Sequence, residues 1–195
     1  MVALRKPSPP GRMTVPEFLD WAAAEDGFWQ LRDGEPEAMN PPAVPHGEIQ
    51  SELGGMIRDH LRARGIPCRV ITTPGVTPRI RSDQNMLVPD LAVTCRPPTD
   101  ARALHDPVLL IEIVSPSNER QTWANIWAFT TIPSVTEILV IGSLAVRAEV
   151  LRRGPDGSWP GQPETLGPTD TLRLESIGFA APLADAYATT HLAAR

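Results

Sequence analysis

The chain has 195 residues, of which 42% are apolar and 21% are charged, and its 18 basic and 23 acidic side chains leave a net charge of −5. This mixture is typical of a soluble globular domain and excludes a chain that is disordered throughout. No apolar run of about 18 residues is present, so no transmembrane helix is expected. The N-terminus does not have the apolar stretch of a secretory signal, and the acidic balance argues against a chain that coats nucleic acid electrostatically.

The N-terminal part of the sequence predicts a tail, a short helix and a β-hairpin. Residues 1–12 are rich in proline, which favours a flexible tail ahead of a single domain over residues 13–195. Thr14 and Glu17 form the capping-box pattern that begins a helix. Asp33-Gly34 is a two-residue hairpin turn sequence. The strands of this hairpin are expected over Phe28–Arg32 and Glu35–Met39.

A long helix is the clearest element downstream. Apolar residues recur at spacings of three and four between Pro45 and Arg64, which is typical of a helix with one buried face. Gly65 is a residue type that commonly ends a helix. A second helix is predicted at Asn118–Thr131, and β-branched runs next to proline or aspartate predict strands. The predicted strands are Cys68–Thr72, Val76–Ile80, Leu87–Thr94, Val108–Val114, Glu137–Ile141, Val146–Arg152 and Leu172–Leu174, and Pro182–Leu192 is expected to form a terminal helix or turn.

Cys68 and Cys95 are too few for a disulfide framework. We expect them to be buried thiols in a reducing cytoplasm, which is the predicted location of the protein. Their spacing does not match a zinc site.

A carboxylate inside an apolar strand is the strongest single indication of chemistry. Glu112 lies within the apolar run Val108–Val114, and burial of an unpaired carboxylate costs several kcal/mol. It must therefore meet a cation, a proton or a metal ion. One interpretation is a buried salt bridge to an arginine, and the other is a functional site.

Asp90 favours the functional interpretation. It follows Pro89 at the start of a second apolar strand, although aspartate is disfavoured in strands. Two carboxylates on adjacent strands suit Mg²⁺, which prefers oxygen ligands and retains several waters. The structural alternative is an aspartate that only initiates a turn.

Four further residues have two interpretations each. Glu52 borders the buried stripe of the long helix and is either a third site carboxylate or a surface residue. His46 suits packing or capping at the helix N-terminus better than the role of a base. Trp123 and Trp127 lie four residues apart on one helix face, where core packing is favoured over base stacking.

Pro89-Asp90 followed by Glu112-Ile113-Val114 resembles the metal-binding motif of the PD-(D/E)xK nuclease superfamily, and the chain is similar to the Uma-two family of restriction-endonuclease-like proteins. The resemblance implies an α/β (α+β) fold, in which a mixed β-sheet is flanked by helices and accompanied by the N-terminal helix and hairpin. The matching segments are Met13–Leu19, Asp33–Pro36, Pro41-Pro42 with His46-Gly47, Val88–Thr94, Ile111–Ser117 and Ile132–Val135.

The resemblance also implies site residues. Asp90 and Glu112 match the two metal-binding acids, and the backbone of Val114 completes the expected metal set. Val114 stands where the superfamily usually has a lysine, and the nearest match to a lysine on the following helix is Asn125 or Ile126. The only lysine in the chain is Lys6. The expected catalytic set is Asp90, Glu112, Glu52 and Asn125.

Two functions remain open at this stage. The first is an endonuclease dependent on Mg²⁺ or Mn²⁺ that hydrolyses DNA with a metal-activated water. The second is a binding or assembly module that kept the nuclease fold and lost cleavage, which the missing lysine favours. A homodimer without membrane attachment is expected in either case. The arginines expected to bind the DNA backbone are Arg69, Arg79, Arg81 and Arg120, with Arg79 and Arg81 on one face of a strand.

Overall fold

The computed structural model describes residues 11–116 and 118–193. Most of the predicted tail, residues 1–10, therefore lies outside the described residues. The fold is a mixed six-stranded sheet with a helix on each face, accompanied by an N-terminal helix and hairpin. The helices are α1 (Val15–Ala22), α2 (Val44–Ala63) and α3 (Glu119–Phe129). The strands are β1 (Trp29–Arg32), β2 (Glu35–Ala38), β3 (Arg69–Thr72), β4 (Leu91–Thr94), β5 (Pro107–Val114), β6 (Glu137–Gly142), β7 (Ala148–Arg152), β8 (Glu164–Leu166), β9 (Thr171–Leu174) and β10 (Phe179–Pro182).

The six-stranded sheet has the order β3-β4-β5-β6-β7-β8. Only β5 and β6 pair in parallel, because α3 connects them and returns the chain to the same end of the sheet. Side chains of β5 alternate between the two faces. Leu109, Ile111 and Ile113 pack in the core that contains the apolar stripe of α2, whereas Leu110 and Val114 pack in the core beneath α3. The predicted mixed sheet between helices is thus confirmed.

The N-terminal helix and hairpin form a small unit with its own core. Thr14 N–H donates to Glu17 Oε2 over 2.8 Å, which confirms the predicted capping box. Asp33 and Gly34 both have positive φ, as a two-residue hairpin turn requires. Leu31 in β1 pairs with Met86 ahead of β4, so the hairpin is attached to the segment that leads into Asp90.

The C-terminal part covers the α2 face of the sheet. The small sheet of β9 and β10 and the 3₁₀ helix Leu183–Tyr187 contribute to the same core as α2. The Tyr187 hydroxyl donates to the Gly142 carbonyl over 2.8 Å and accepts from the Arg147 N–H over 3.3 Å. Burial raises the pKa of Tyr187 to about 12. This phenol therefore links the C-terminal segment to the turn between β6 and β7.

Two predicted strands differ from the structure. Val76–Ile80 is not a strand, because Val76 makes isolated bridges with Leu87 and Leu104, and Pro78 then removes a backbone donor. The strand predicted at Leu87–Thr94 begins only at Leu91, after Pro89. The short strands β8 and β10 were not predicted, since β8 begins with two exposed residues and β10 ends in proline.

The expectation of two buried thiols was wrong. The antiparallel register pairs Arg69 with Thr94, so the residues next to this pair, Cys68 and Cys95, face each other at the end of β3 and β4. They form a disulfide. Cys68 is half-buried and Cys95 is exposed. Strand pairing across 27 residues, which residue spacing does not reveal, brings the two sulfurs together.

Within residues 11–116 and 118–193, no helix has both the length and the apolar character needed to cross a bilayer.

Candidate active site

The site is built where β4 begins and β5 nears its end. Leu91 pairs with Ile111 in the antiparallel register, so the preceding residue, Asp90, lies opposite Glu112. Directly opposed residues of an antiparallel pair project from the same face of a sheet. The two carboxyl groups therefore meet on the α3 side. The structure brings together the two acids on which the sequence hypothesis depends.

Hydrogen bonds hold both the carboxylate and the backbone carbonyl of Asp90 in place. Its Oδ2 accepts the Ile113 N–H over 2.7 Å, and its Oδ1 lies 2.8 Å from His46 Nε2, which donates when protonated. Its backbone carbonyl accepts Gln50 Nε2 over 2.7 Å and the Thr73 N–H over 3.0 Å. These contacts fix both the backbone and the carboxylate of Asp90, so its oxygens have one defined direction.

Thr73 marks local backbone strain beside this site. Its φ of +47° lies in the left-handed region, which is unusual for a β-branched residue. Such conformations persist only where the surroundings enforce them, and they cluster at functional sites. Here the hydrogen bond from the Thr73 N–H to the Asp90 carbonyl is one enforcing contact.

Glu112 is a carboxyl group with only 5% of its surface exposed. Asn125 Nδ2 donates to Glu112 Oε1 over 3.2 Å. Burial, and then the negative charge of Asp90, raise the pKa of Glu112 well above its usual range, although the Asn125 hydrogen bond opposes this. Two carboxyl groups in contact within a low dielectric therefore favour a shared proton or a bound cation over two free charges.

A polar chain leads from Glu112 to the N-terminal hairpin. Asn125 Oδ1 accepts Arg32 Nη2 over 2.7 Å, and Arg32 Nε donates to Glu37 Oε2 over 3.1 Å. Gln30 Nε2 donates to the same Glu37 oxygen over 3.0 Å. The Gln121 amide also faces Arg32, and with its oxygen turned toward the guanidinium it accepts from Nε over 2.7 Å.

The arginine fixes the orientation of Asn125. A guanidinium has only donors, so the oxygen of the Asn125 amide must face Arg32. The amide nitrogen then faces Glu112. Asn125, an expected site residue, is therefore a fixed hydrogen-bond donor to the carboxyl pair.

The structure does not bring Glu52 to this position. His46 and Gln50 are four residues apart and share the face of α2 that contacts Asp90. Glu52 lies two residues beyond Gln50, or about 200° around the helix. It is half-buried, and among the described residues it has no hydrogen-bond or ion-pair partner.

Val114 is buried and lies two residues beyond Glu112 on the same face of β5. Its carbonyl accepts the Ser143 N–H over 2.8 Å, which continues the pairing between β5 and β6. Its side chain packs against the core beneath α3.

The four predicted DNA-binding arginines are dispersed. Arg69 pairs with Thr94 at the far end of β4, four residues or about 13 Å along the strand from Asp90. There its Nη2 donates to the Pro97 carbonyl, and the side chain lines a surface cavity of about 600 Å³. Arg120 is exposed in the first turn of α3, on a different face from Asn125.

Arg79 and Arg81 do not share a strand face. They lie in a turn, where the backbone of Arg81 has a φ of +48°. Arg81 Nη1 makes an ion pair with Asp33 Oδ1 at 2.8 Å. The expectation of a common face was wrong because Pro78 ends the extended segment before either arginine.

Three site residues were not predicted from the sequence. His46 was expected to serve packing or capping, and Gln50 and Arg32 were not among the expected site residues. The i, i+4 spacing of His46 and Gln50 at the start of a helix was a usable signal, because two polar residues there share a face. Arg32 gave no such signal, since its contact with Asn125 spans 93 residues of sequence.

The residues present fit a hard divalent cation in part. The carboxylate oxygens of Asp90 and Glu112 are the ligand type that Mg²⁺ and Mn²⁺ prefer, and burial, then the charge of Asp90, raise the pKa of Glu112. Across residues 11–116 and 118–193, however, no three His, Cys, Asp or Glu side chains form a group able to hold a metal ion. The site therefore suits an ion that retains several waters rather than one enclosed by protein.

Comparisons with known proteins agree with this architecture. An uncharacterised protein of Synechocystis sp. is 26% identical over 182 residues, which is 92% of this chain and 93% of the relative. The crystal structure of "a putative nuclease belonging to DUF820" from Anabaena variabilis has a TM-score of 0.68 and 20% identity, and the match covers 90% of this chain and 98% of that chain. The model of the Uma2 family, described as "Putative restriction endonuclease", matches residues 15–184. The chain belongs to this family of restriction-endonuclease-like proteins.

Proposed function

We propose that the protein is a DNA endonuclease that requires a divalent metal ion and hydrolyses phosphodiester bonds. The observation that carries this proposal is the opposed pair of Asp90 and Glu112, in which burial and mutual repulsion raise the pKa of Glu112. Membership of the family supports a nuclease. Perturbed carboxyl groups in this arrangement are typical of catalytic sites.

Each residue of the site has a defined task in this proposal. Asp90 and Glu112 would hold the ion, with the backbone of Val114 as a candidate third ligand. An ion held there would supply an activated water and would neutralise charge on the phosphoryl group. His46 orients Asp90 through the contact between its Nε2 and Asp90 Oδ1, while Asn125 orients Glu112.

Nicking of supercoiled plasmid tests the proposal. Wild-type protein with Mg²⁺ or Mn²⁺ is expected to convert the plasmid to open circles, and EDTA is expected to stop this. Asp90→Asn and Glu112→Gln should abolish nicking, because each removes a charge needed to hold the ion. Asp59→Asn is the matched control, since Asp59 is an exposed carboxylate on α2. Equal nicking by Asp90→Asn and Asp59→Asn would contradict the proposed site.

A second candidate is a metal- and DNA-binding module without cleavage. Asn125 favours it, because this residue contacts Glu112 through an uncharged amide where a cation would stabilise a phosphorane better. A melting temperature raised by Mn²⁺ in wild type but not in Asp90→Asn, without any nicking, would select this function.

The homodimer and the cytoplasmic location remain predictions. Trp127 is 54% exposed beside Trp123 on α3 and supplies an apolar surface suited to a second copy. Sedimentation equilibrium of wild type and Trp127→Ser tests the dimer, which the substitution should weaken. The Cys68–Cys95 disulfide removes the cysteine argument for the cytoplasm. A DNA substrate is the remaining reason to propose that location, and cell fractionation tests it.

A further inference from the structure

A site that attracts a phosphodiester to two carboxylates needs positive charge from the protein as well as from an ion. Among the described residues, Arg32 is the one arginine hydrogen-bonded to a residue that contacts Glu112 or Asp90, namely Asn125. The other arginines near the hairpin and α3 have different surroundings. Arg81 pairs with Asp33, and Arg120 is exposed.

The guanidinium of Arg32 is held in place before any ligand arrives. Its side chain is only 20% exposed. Glu37 binds its Nε, and Asn125 binds its Nη2. Two fixed directions determine the plane of the group, so little side-chain entropy is lost when a ligand binds. A guanidinium has five N–H donors, and with Glu37 on Nε and with Asn125 and the turned Gln121 oxygen on Nη2, a donor on Nη1 remains for a further acceptor.

One buried polar atom on the hairpin face around Arg32 also lacks a hydrogen-bond partner among the described residues. Gln30 projects from the same face of β1 as Arg32, two residues away. It is 7% exposed, and its Oε1 is a buried acceptor with no hydrogen-bond partner in the part of the chain that the structure describes. Buried acceptors normally find a donor, so this oxygen indicates a place for a bound water, whose second hydrogen can be donated to a phosphate oxygen.

We infer that Arg32 binds the phosphodiester at the Asp90–Glu112 site, with the N-terminal hairpin acting as the element that delivers this cation. The inference rests on the proposed function, because it takes DNA as the ligand of the carboxyl site. Arginine suits the task, since it stays charged at neutral pH and its remaining Nη1 donor can make a charge-assisted hydrogen bond to a phosphate oxygen. The partial burial of the group strengthens its attraction to phosphate relative to an arginine in open solvent.

DNA affinity, measured apart from cleavage, tests this inference. Fluorescence anisotropy of a labelled duplex is recorded at several salt concentrations with Ca²⁺ as the divalent ion. Arg32→Gln and Arg32→Met are compared with wild type and with Arg62→Gln. Arg62 is an exposed arginine 16 residues from His46 along α2, which places it about 24 Å from the site end of that helix.

We expect Arg32→Gln and Arg32→Met to weaken DNA binding about tenfold and to reduce the salt slope by about 1, the signature of one lost phosphate contact. Arg32→Lys should recover part of the affinity and the whole slope, because it keeps the charge without the planar fork. Arg62→Gln should bind like wild type. Cooperative melting shows that a neutral variant is folded, and one folded variant, Arg32→Gln or Arg32→Met, is enough for the test. If its DNA affinity and salt slope equal those of wild type, the inference is overturned.

Plasmid nicking separates this inference from the proposed function. If wild type does not nick but Arg32→Gln loses affinity as expected, cleavage is rejected and the phosphate contact stands. If Arg32→Gln binds and nicks like wild type, the contact is rejected and the endonuclease stands.

Discussion

His46 Nε2 lies 2.8 Å from Asp90 Oδ1, which joins the first turn of α2 to the residue that precedes β4. Both side chains are mostly buried, at 14% and 16% exposed. This contact leaves the other Asp90 oxygen on the Ile113 N–H, so the carboxylate is oriented from two elements at once.

Loss of the His46 ring should therefore impair the site without unfolding the protein. His46→Ala is expected to lower plasmid nicking between about tenfold and a hundredfold, because small errors in the position of a catalytic group are costly. His191→Ala is the control, since His191 is exposed near the C-terminus. Equal nicking rates for the two variants, with equal melting temperatures, would show that His46 serves packing alone.

The raised pKa of Glu112 gives a stability prediction with a definite sign. Below the ordinary glutamate pKa of about 4.3, the group is protonated in both the folded and the unfolded chain. As pH rises above this value, the unfolded chain ionises first, so the folded state loses stability until its own raised pKa is passed. Without divalent metal, Glu112→Gln should be more stable than wild type at neutral pH by about 1–3 kcal/mol.

Urea unfolding of both proteins at acidic and neutral pH measures this difference. The glutamine retains an oxygen for Asn125 and offers an N–H to Asp90. The two proteins should converge in stability at about pH 4. A variant less stable than wild type at neutral pH would contradict the strained charge that we assign to Glu112.

A divalent cation should reverse this destabilisation in wild type. Mg²⁺ or Mn²⁺ at 100 times its Kd stabilises the folded state by about 2.7 kcal/mol. Differential scanning fluorimetry is expected to show a higher melting temperature on addition of Mn²⁺. Asp90→Asn should lose the shift and Asp59→Asn should keep it. An equal shift in both variants would place the ion elsewhere on the protein.

A second buried carboxylate, Glu137, serves stability alone. It is 1% exposed at the start of β6, and it accepts Arg152 Nε over 2.8 Å, Ser176 Oγ over 2.7 Å and the backbone N–H of Glu175. Glu137→Gln should lower the free energy of unfolding by about 3 kcal/mol, because one member of a buried pair is lost. Glu164→Gln changes an exposed partner of the same arginine and should cost within about 1 kcal/mol. Urea titrations compare the two, and similar losses would refute the buried network.

The disulfide between Cys68 and Cys95 should stabilise the protein by restricting the unfolded chain between the two cysteines. A separation of 27 residues corresponds to about 3–4 kcal/mol in the loop-entropy model. Dithiothreitol should lower the melting temperature of wild type and leave that of the Cys68→Ser/Cys95→Ser double variant unchanged. Intact-mass measurement before and after alkylation reports the bond directly, and two free thiols in the untreated protein would contradict it.

Elements with local signals were predictable, and relationships between distant residues were not. The capping box of Thr14 and Glu17, the Asp33-Gly34 turn and the ends of α2 each depend on a few neighbouring residues. Asp90 and Glu112 could be identified from the sequence because each is a carboxylate in a segment whose other residues predict an apolar strand.

The remaining site contacts depend on tertiary structure. Arg32 reaches Asn125 only because the hairpin is attached through Leu31 and Met86 to the segment before β4. The disulfide likewise required the register of β3 and β4. A pattern within one segment carries no information on either relationship.

The anchoring of Tyr187 has a consequence for the synthesis of the protein. Asp90, Glu112 and Asn125 are all made well before the phenol that binds the Gly142 carbonyl and joins the core of the α2 face. A nascent chain that ends before Tyr187 still exposes apolar side chains of its sheet. Completion of the fold around the candidate site therefore awaits translation of Tyr187, and chains cut before this tyrosine should aggregate rather than cleave DNA.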